Sequence, residues 1–208
     1  AARPGALDGI DLSALRILIN AGEAIVPRTA RRFIAALAPH GLGAAVMKPE
    51  WGMSETCSAV ICSDGFTLEG TTDDDMAADL GGPVPGTAFR IVEASGMPPV
   101  GRLQVKGPTV TPGYLENPEA NAEAFTADGW FDTGDLGTMT GGRLKITGRA
   151  KDAIIVNGRN LHAHEIEAVA EEVPGVAVSL TTAFANRPAG ADTDRLVVTW
   201  VPEEPVVD

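Results

Sequence analysis

The pattern of apolar positions divides the chain into three stretches of different character. In the first, Leu15-Arg16-Ile17-Leu18-Ile19 is a short apolar run that predicts a buried strand. A helix is expected from about Pro27 to Ala38, with Pro at an early position and Gly41 near its end. Its apolar residues Phe33, Ile34 and Leu37 share one face. Ala44–Lys48 predicts a second strand, so residues 1–81 read as α/β. From Gly82 to Gly148 the pattern changes to short alternating segments (Phe89–Val92, Leu103–Val105, Arg143–Ile146) punctuated by Gly and Pro, which predicts a β-rich, barrel-like region. After Arg149, Ala153–Val156 predicts a strand, followed by a turn at Asn157-Gly158. An amphipathic helix over Ala163–Val173 follows, with Ile166, Val169, Ala170 and Val173 as its apolar stripe and Pro174-Gly175 as its stop. Val176–Phe184 and Leu196–Val201 predict two further strands around an exposed loop at 186–194, so residues 149–208 read as a small α+β domain. No internal repeat is present.

Composition narrows the functions open to such a chain. With 208 residues there is room for one large or two small domains, and 44% apolar content supports a substantial core. A net charge of −12 and few aromatic residues argue against binding nucleic acid. No apolar run approaches the roughly 20 residues of a membrane span. No signal peptide opens the chain, and its start at Ala1 without an initiator Met points to a fragment or a processed product. Cys57 and Cys62 form a single pair with no well-placed His to complete a zinc site. His162 and His164 alternate on one face of an extended segment, where a metal would need further ligands. These features fit a reducing cytoplasm.

The segment Gly129-Trp130-Phe131-Asp132-Thr133-Gly134-Asp135-Leu136-Gly137 and the following Gly148-Arg149-Ala150-Lys151-Asp152 carry the most specific chemistry. A carboxylate at Asp135 can accept from both vicinal hydroxyls of a ribose, and the Arg149 guanidinium can close the other side with donors in a planar fork. Read alone, Thr-Gly-Asp is better taken as a β-hairpin with Asp in its turn, accompanied by a surface Arg; the neighbouring segments turn the reading toward the ribose. Trp51-Gly52-Met53-Ser54-Glu55-Thr56 has its own bland alternative, a strand end followed by a helix capped by Ser54. Asn157-Gly158 reads as a hairpin turn.

Together these two segments, residues 101–125, residues 152–167 and Asn20-Ala21-Gly22-Glu23-Ala24 resemble the adenylate-forming superfamily in the family's order and over nearly the whole chain. That superfamily comprises acyl-CoA synthetases, fatty acyl-AMP ligases, luciferases and the adenylation domains of nonribosomal peptide and polyketide assembly lines. The resemblance implies an incomplete adenylate-forming fold. Residues 1–148 would be the back part of the large domain, and 149–208 the hinge and first half of the small domain. It implies attack of a carboxylate on the α-phosphate of ATP, release of pyrophosphate, and transfer of the acyl group to the pantetheine thiol of CoA or a carrier protein. Gly22, Glu23 and Ala24 would pass over the adenine, and the Trp51 ring, followed by Gly52, would stack against it. Ser54 would meet the α-phosphate, Glu55 would ligate magnesium, and Asp135 and Arg149 would grip the ribose. Lys151 falls on the family's hinge position and Gly158 near its pantetheine tunnel. Ile19, Ala21, Glu50, Ser58 and Ala59 align beside the acyl or aminoacyl pocket; among them Glu50 stands out as a carboxylate that needs a partner.

The run from Lys151 to Asn160 looks most like fatty acyl-AMP ligases, yet the 26 residues between Glu55 and Gly82 leave little space for the insertion those enzymes carry. The substrate class therefore stays open. The family's Ser/Thr/Gly-rich phosphate loop and its catalytic Lys are absent from these 208 residues. Two functions follow: part of a working adenylating enzyme within a larger synthetase, or a catalytically inactive partial fold serving as a structural or docking platform.

Overall fold

The computed structural model describes residues 7–22, 25–75, 77–96, 99–150, 153–156, 159–186 and 195–203. Two compact units are present: residues 1–133 with 137–146, and residues 134–136 with 147–208. In the first unit, β1 (Leu18–Asn20) pairs in parallel with β2 (Met47–Gly52), which pairs antiparallel with β3 (Ala59–Cys62), followed by the two-residue β4 (Gly82–Pro83). Between β1 and β2 runs α1 (Pro27–Leu37), started by a Pro in its first turn, where a missing N–H costs nothing. The parallel β1–β2 pair with its intervening helix is the α/β arrangement expected from the sequence.

The details differ in instructive ways. Helix α1 buries Pro27, Ala30 and Ile34, spaced three and four apart, while Phe33 is 43% exposed and Leu37 half-buried. Ala30 and Ile34 pack with Met47 and Phe66, so the small Ala sets the contact and the bulky Phe points outward. Strand β1 begins three residues later than expected, because a turn in which the Leu15 N–H donates to the Leu12 carbonyl precedes it. Ala44–Val46 is a single 3₁₀ turn, and the second strand starts at Met47.

A second sheet has the order β5 (Ala88–Ser95), β6 (Val100–Lys106), β7 (Phe131–Thr140), β8 (Arg143–Arg149). Among the described residues it remains an open sheet, so the β-rich region is not a closed barrel. Strands β7 and β8 are joined at Gly141-Gly142, both with positive φ, as a two-residue hairpin requires. Inward side chains Leu103, Val105, Phe131 and Leu144 of this sheet are essentially buried and pack with Val60, Ile61 and Trp51 of the first sheet. This shared core fixes both the Trp51–Thr56 segment and the root of β7.

In the second unit, β9 (Ala153–Val156) and β10 (Arg159–His162) form an antiparallel pair around Asn157-Gly158, which lies outside the described residues. Helix α3 (Ala163–Ala170) is shorter than expected, and the chain beyond it continues in turns. Of its expected stripe, Val169 and Val173 are exposed. Strands β11 (Val176–Asn186) and β12 (Arg195–Pro202) pair antiparallel, with a register shift between Val176 and Thr181. There Ser179 takes a positive φ, and its N–H donates to the Glu171 carboxylate at 2.8 Å. The Glu167 carboxylate likewise accepts from the Ala183 N–H at 2.9 Å, so two carboxylates satisfy backbone N–H groups of β11.

Candidate functional site

Asp135 sits in the middle of the ten-residue strand β7, not in a turn. Phe131, Thr133, Asp135 and Gly137 alternate as the buried positions of that strand, so a carboxylate takes a place that the pattern gives to apolar or small groups. Gly137 must be glycine, since a Cβ there would lie 2.6 Å from the Lys145 carbonyl oxygen. Asp135 is 6% exposed, and its Oδ1 accepts from Arg149 Nε at 3.0 Å. The Arg149 side chain is 52% exposed, so its charge stays in contact with water while one donor holds the carboxylate. The reading of Asp135 as a hairpin-turn residue is thereby replaced. The two residues singled out for a ribose meet through a charge-assisted hydrogen bond.

Glu55 lies in a one-turn 3₁₀ segment, Ser54–Thr56, immediately after β2. Ser54 does not cap it. The cap position is Met53, whose N–H donates to the buried Thr56 hydroxyl at 3.0 Å, and that hydroxyl lies 2.7 Å from the Ser58 carbonyl. Ser54 is left exposed, free for another contact. Cys57 follows with a φ of 65°, a left-handed conformation that turns the chain sharply into β3. Gly52 is required by this turn, because a Cβ there would sit 2.3 Å from the Ser58 carbonyl oxygen. The Glu55 backbone carbonyl accepts from the Thr111 N–H at 2.7 Å, and its Oε1 accepts from the Tyr114 hydroxyl at 2.9 Å. Burial raises the Tyr114 phenol above its ordinary pKa, and the hydrogen bond and charge of Glu55 add to this, so the phenol is a protonated donor at neutral pH.

Trp51 is 9% exposed and belongs to the core, so most of its ring is already packed by protein. Gly22 has a φ of 97° with open space where a Cβ would stand, which allows close approach to its backbone. Glu23, Ala24, Lys151 and Gly158 lie outside the described residues. Of the expected acyl-pocket residues, Ile19, Ala21 and Ser58 are exposed and Ala59 is half-buried. Glu50 is opposite Cys62 across the β2–β3 pair. Burial raises the Cys62 thiol pKa, with the charge and hydrogen bond of Glu50 adding to it, so Glu50 has a thiol partner. Thr56, Tyr114 and Asn121 were not anticipated. Helix α2 (Pro118–Ala124), inside the stretch expected to be β-rich, was also missed; the cap residue Asn117 followed by Pro was its local signal, but nothing local in the sequence ties Tyr114 to Glu55.

A lone carboxylate fits magnesium better than a dedicated protein metal site. Among the described residues no group of three His, Cys, Asp or Glu side chains gathers. Magnesium is commonly held by one or two carboxylates, with substrate phosphates and water completing its shell. Glu55, with one oxygen already oriented by Tyr114, is of that kind.

Residues 2–115, more than half of the chain, match the family described as AMP-binding enzyme. The chain belongs to this family. This AMP-binding chain is 38% identical, over 92% of its length, to nonribosomal peptide synthetase acyN of Ascocoryne sarcoides, and to the same extent to microperfuranone synthase of Emericella nidulans. It spans about a fifth of the length of each. Among solved structures, McyG A-PCP complexed with phenylalanyl-adenylate is 42% identical with a TM-score of 0.82, over 94% of this chain and 31% of that one. A keto acid-selecting nonribosomal peptide synthetase module is 42% identical with a TM-score of 0.78, over 92% of this chain and 18% of that one. A fatty acyl-adenylate ligase structure, from a study of those of E. coli and L. pneumophila, has a TM-score of 0.80 at 24% identity, over 98% of this chain and 40% of that one, a likeness of fold alone. The adenylate-forming fold expected from the motifs is therefore the observed one. No helix among the described residues is long and apolar enough to cross a membrane.

Proposed function

We propose that this chain is part of an adenylation domain that activates a small carboxylic acid within a larger nonribosomal peptide-type synthetase. The single observation that carries this reading is the Asp135–Arg149 pair: a carboxylate on the buried face of a strand that accepts from the Arg149 guanidinium. A folding role alone gives a poor account of it, since an apolar residue would serve β7 at least as well. The carboxylate accepts from ribose hydroxyls, and Arg149 keeps it aimed. In the first unit Glu55 would hold the magnesium ion, which neutralises phosphate charge when bound. The exposed Ser54 hydroxyl donates to the α-phosphate, and Gly22 lets the backbone approach adenine. The substrate carboxylate oxygen attacks the α-phosphorus, the bond to the bridging oxygen breaks, and pyrophosphate leaves with the electron pair. The acyl group then passes to a pantetheine thiol with release of AMP. A carrier protein is the acceptor we favour over CoA, on the strength of the synthetase relatives.

For the substrate we propose a 2-oxo acid or an amino acid with an apolar side chain. The small or apolar Ile19, Ala21, Ser58 and Ala59 support an apolar group, and the likeness to keto acid-selecting and phenylalanyl-adenylate-bound proteins supports both acid classes. Because Glu50 already has Cys62 as its partner, it is a poor candidate to meet a substrate amine. The test is hydroxylamine trapping of the acyl-adenylate across 2-oxo, amino, aryl and fatty acids, using the chain in its natural polypeptide. A hydroxamate from one class, abolished by Asp135→Ala, supports the reading. Equal, variant-independent signal from every acid refutes it.

A further inference from the structure

Tyr114 is the one tyrosine in the chain, and it reaches 59 residues back to place its hydroxyl 2.9 Å from Glu55 Oε1. Its loop is docked on the same residue a second time, through the Thr111 N–H on the Glu55 carbonyl at 2.7 Å. Tyr114 is itself clamped from behind. Its N–H donates to Asn121 Oδ1 at 2.7 Å, and Asn121 Nδ2 donates back to the Tyr114 carbonyl at 2.9 Å. The fit is close enough that Gly113, with a φ of 146°, has no space for a side chain: a Cβ would lie 2.9 Å from Asn121 Oδ1. The Tyr114 ring also packs against the main core of the first unit. A rigid chain of contacts thus runs from α2 through Tyr114 to one oxygen of a carboxylate on a short surface turn.

We propose that Tyr114 is a positioning residue for Glu55, holding Oε1 so that the carboxylate presents its other oxygen to a divalent cation in one fixed orientation. The proposal rests on the reading of Glu55 as the magnesium ligand. A phenol that donates to a ligating carboxylate limits its rotamers before the metal arrives, and losing such an outer partner typically lowers metal affinity about 10- to 100-fold. A purely structural Tyr114 would contribute through its ring, which phenylalanine preserves.

The test uses Mn²⁺ as the probe, with a non-hydrolysable ATP analogue present. With the chain in its natural polypeptide, 3-fluorotyrosine inserted at position 114 alone by amber suppression gives one ¹⁹F resonance, and Mn²⁺ held by Glu55 broadens it. Mn²⁺ affinity is read separately by electron paramagnetic resonance for the unlabelled wild type, Tyr114→Phe, Asn121→Ala and Glu55→Gln, with thermal midpoints alongside. The expected result is a broadened wild-type resonance and a roughly 10- to 100-fold weaker Mn²⁺ affinity in Tyr114→Phe. Asn121→Ala, which leaves the phenol intact but releases its backbone, should weaken Mn²⁺ in the same direction and serves if Tyr114→Phe folds poorly. Wild-type affinity in both Tyr114→Phe and Asn121→Ala, with loss in Glu55→Gln, overturns the positioning role and leaves the metal reading standing. Wild-type affinity in Glu55→Gln, or no broadening in the wild type, overturns both.

Discussion

Replacing Asp135 by alanine tests the nucleoside site at its most specific atom. Asp135 is 6% exposed, and its carboxylate accepts from Arg149 Nε at 3.0 Å. An ionised carboxylate offers about four lone-pair sites over its two oxygens, so a ribose hydroxyl can share it with Arg149. A hydrogen bond to an ionised acceptor contributes about 1.5–3 kcal/mol, which at 1.4 kcal/mol per decade is roughly a ten- to hundredfold weaker ATP affinity. Folding should suffer much less, because the Arg149 left behind is half in water rather than stranded in the core. Isothermal titration calorimetry with ATP and with 2′,3′-dideoxy-ATP separates the two effects. The variant should lose affinity for ATP and little or none for the dideoxy nucleotide, since the second ligand lacks the groups that Asp135 binds. Equal losses for both nucleotides, or no loss for either, would refute the ribose assignment.

Other consequences can be measured independently. The Arg90 guanidinium, with Thr126 adding to it, lowers the Asp128 carboxyl pKa from 3.8 to about 2. The contribution of this pair is therefore fully present above pH 3.8 and is lost as pH falls through about 2. Carboxyl ¹³C shifts should show that low midpoint, and Arg90→Gln should move it back toward 3.8. Gly137→Ala should destabilise the chain by about 1–3 kcal/mol in urea titrations, because its Cβ would meet the Lys145 carbonyl at 2.6 Å and backbone cannot easily yield. Lys151→Pro, at the position we propose as the hinge, should spare adenylation in the natural polypeptide and block thioester transfer; the reverse outcome would show that the hinge lies elsewhere.

What the sequence made legible was mostly local. The start of α1 was readable because Pro27 fits a first helical turn, whereas the β7–β8 hairpin was not singled out, although Gly141 and Gly142 both take positive φ. Local rules also misled where tertiary packing overrode them. Thr133-Gly134-Asp135 has the composition of a turn, yet it runs as strand interior because Phe131 and Thr133 are buried on the same face and Gly137 accepts a close backbone neighbour. Ser54 looked like a cap by type, but Thr56, two residues later, has the hydroxyl placed to take the Met53 N–H. Phe33 looked like a core residue by hydrophobicity, while the close contact with Met47 and Phe66 uses Ala30 and Ile34. For the candidate site, the 14-residue spacing of Asp135 and Arg149 was informative because one hairpin connects them. The Tyr114–Glu55 contact was not, because a hydrogen bond across 59 residues obeys no sequence rule.

The most direct test of the central claim is carboxylate-dependent ATP–pyrophosphate exchange, measured with the chain in its natural polypeptide across 2-oxo, amino, aryl and fatty acids. The account predicts exchange stimulated by one acid class, strongly reduced by Asp135→Ala and by Glu55→Gln. Exchange that no carboxylate stimulates, from a preparation that still binds ATP, would contradict it and leave a nucleotide-binding platform in place of an enzyme.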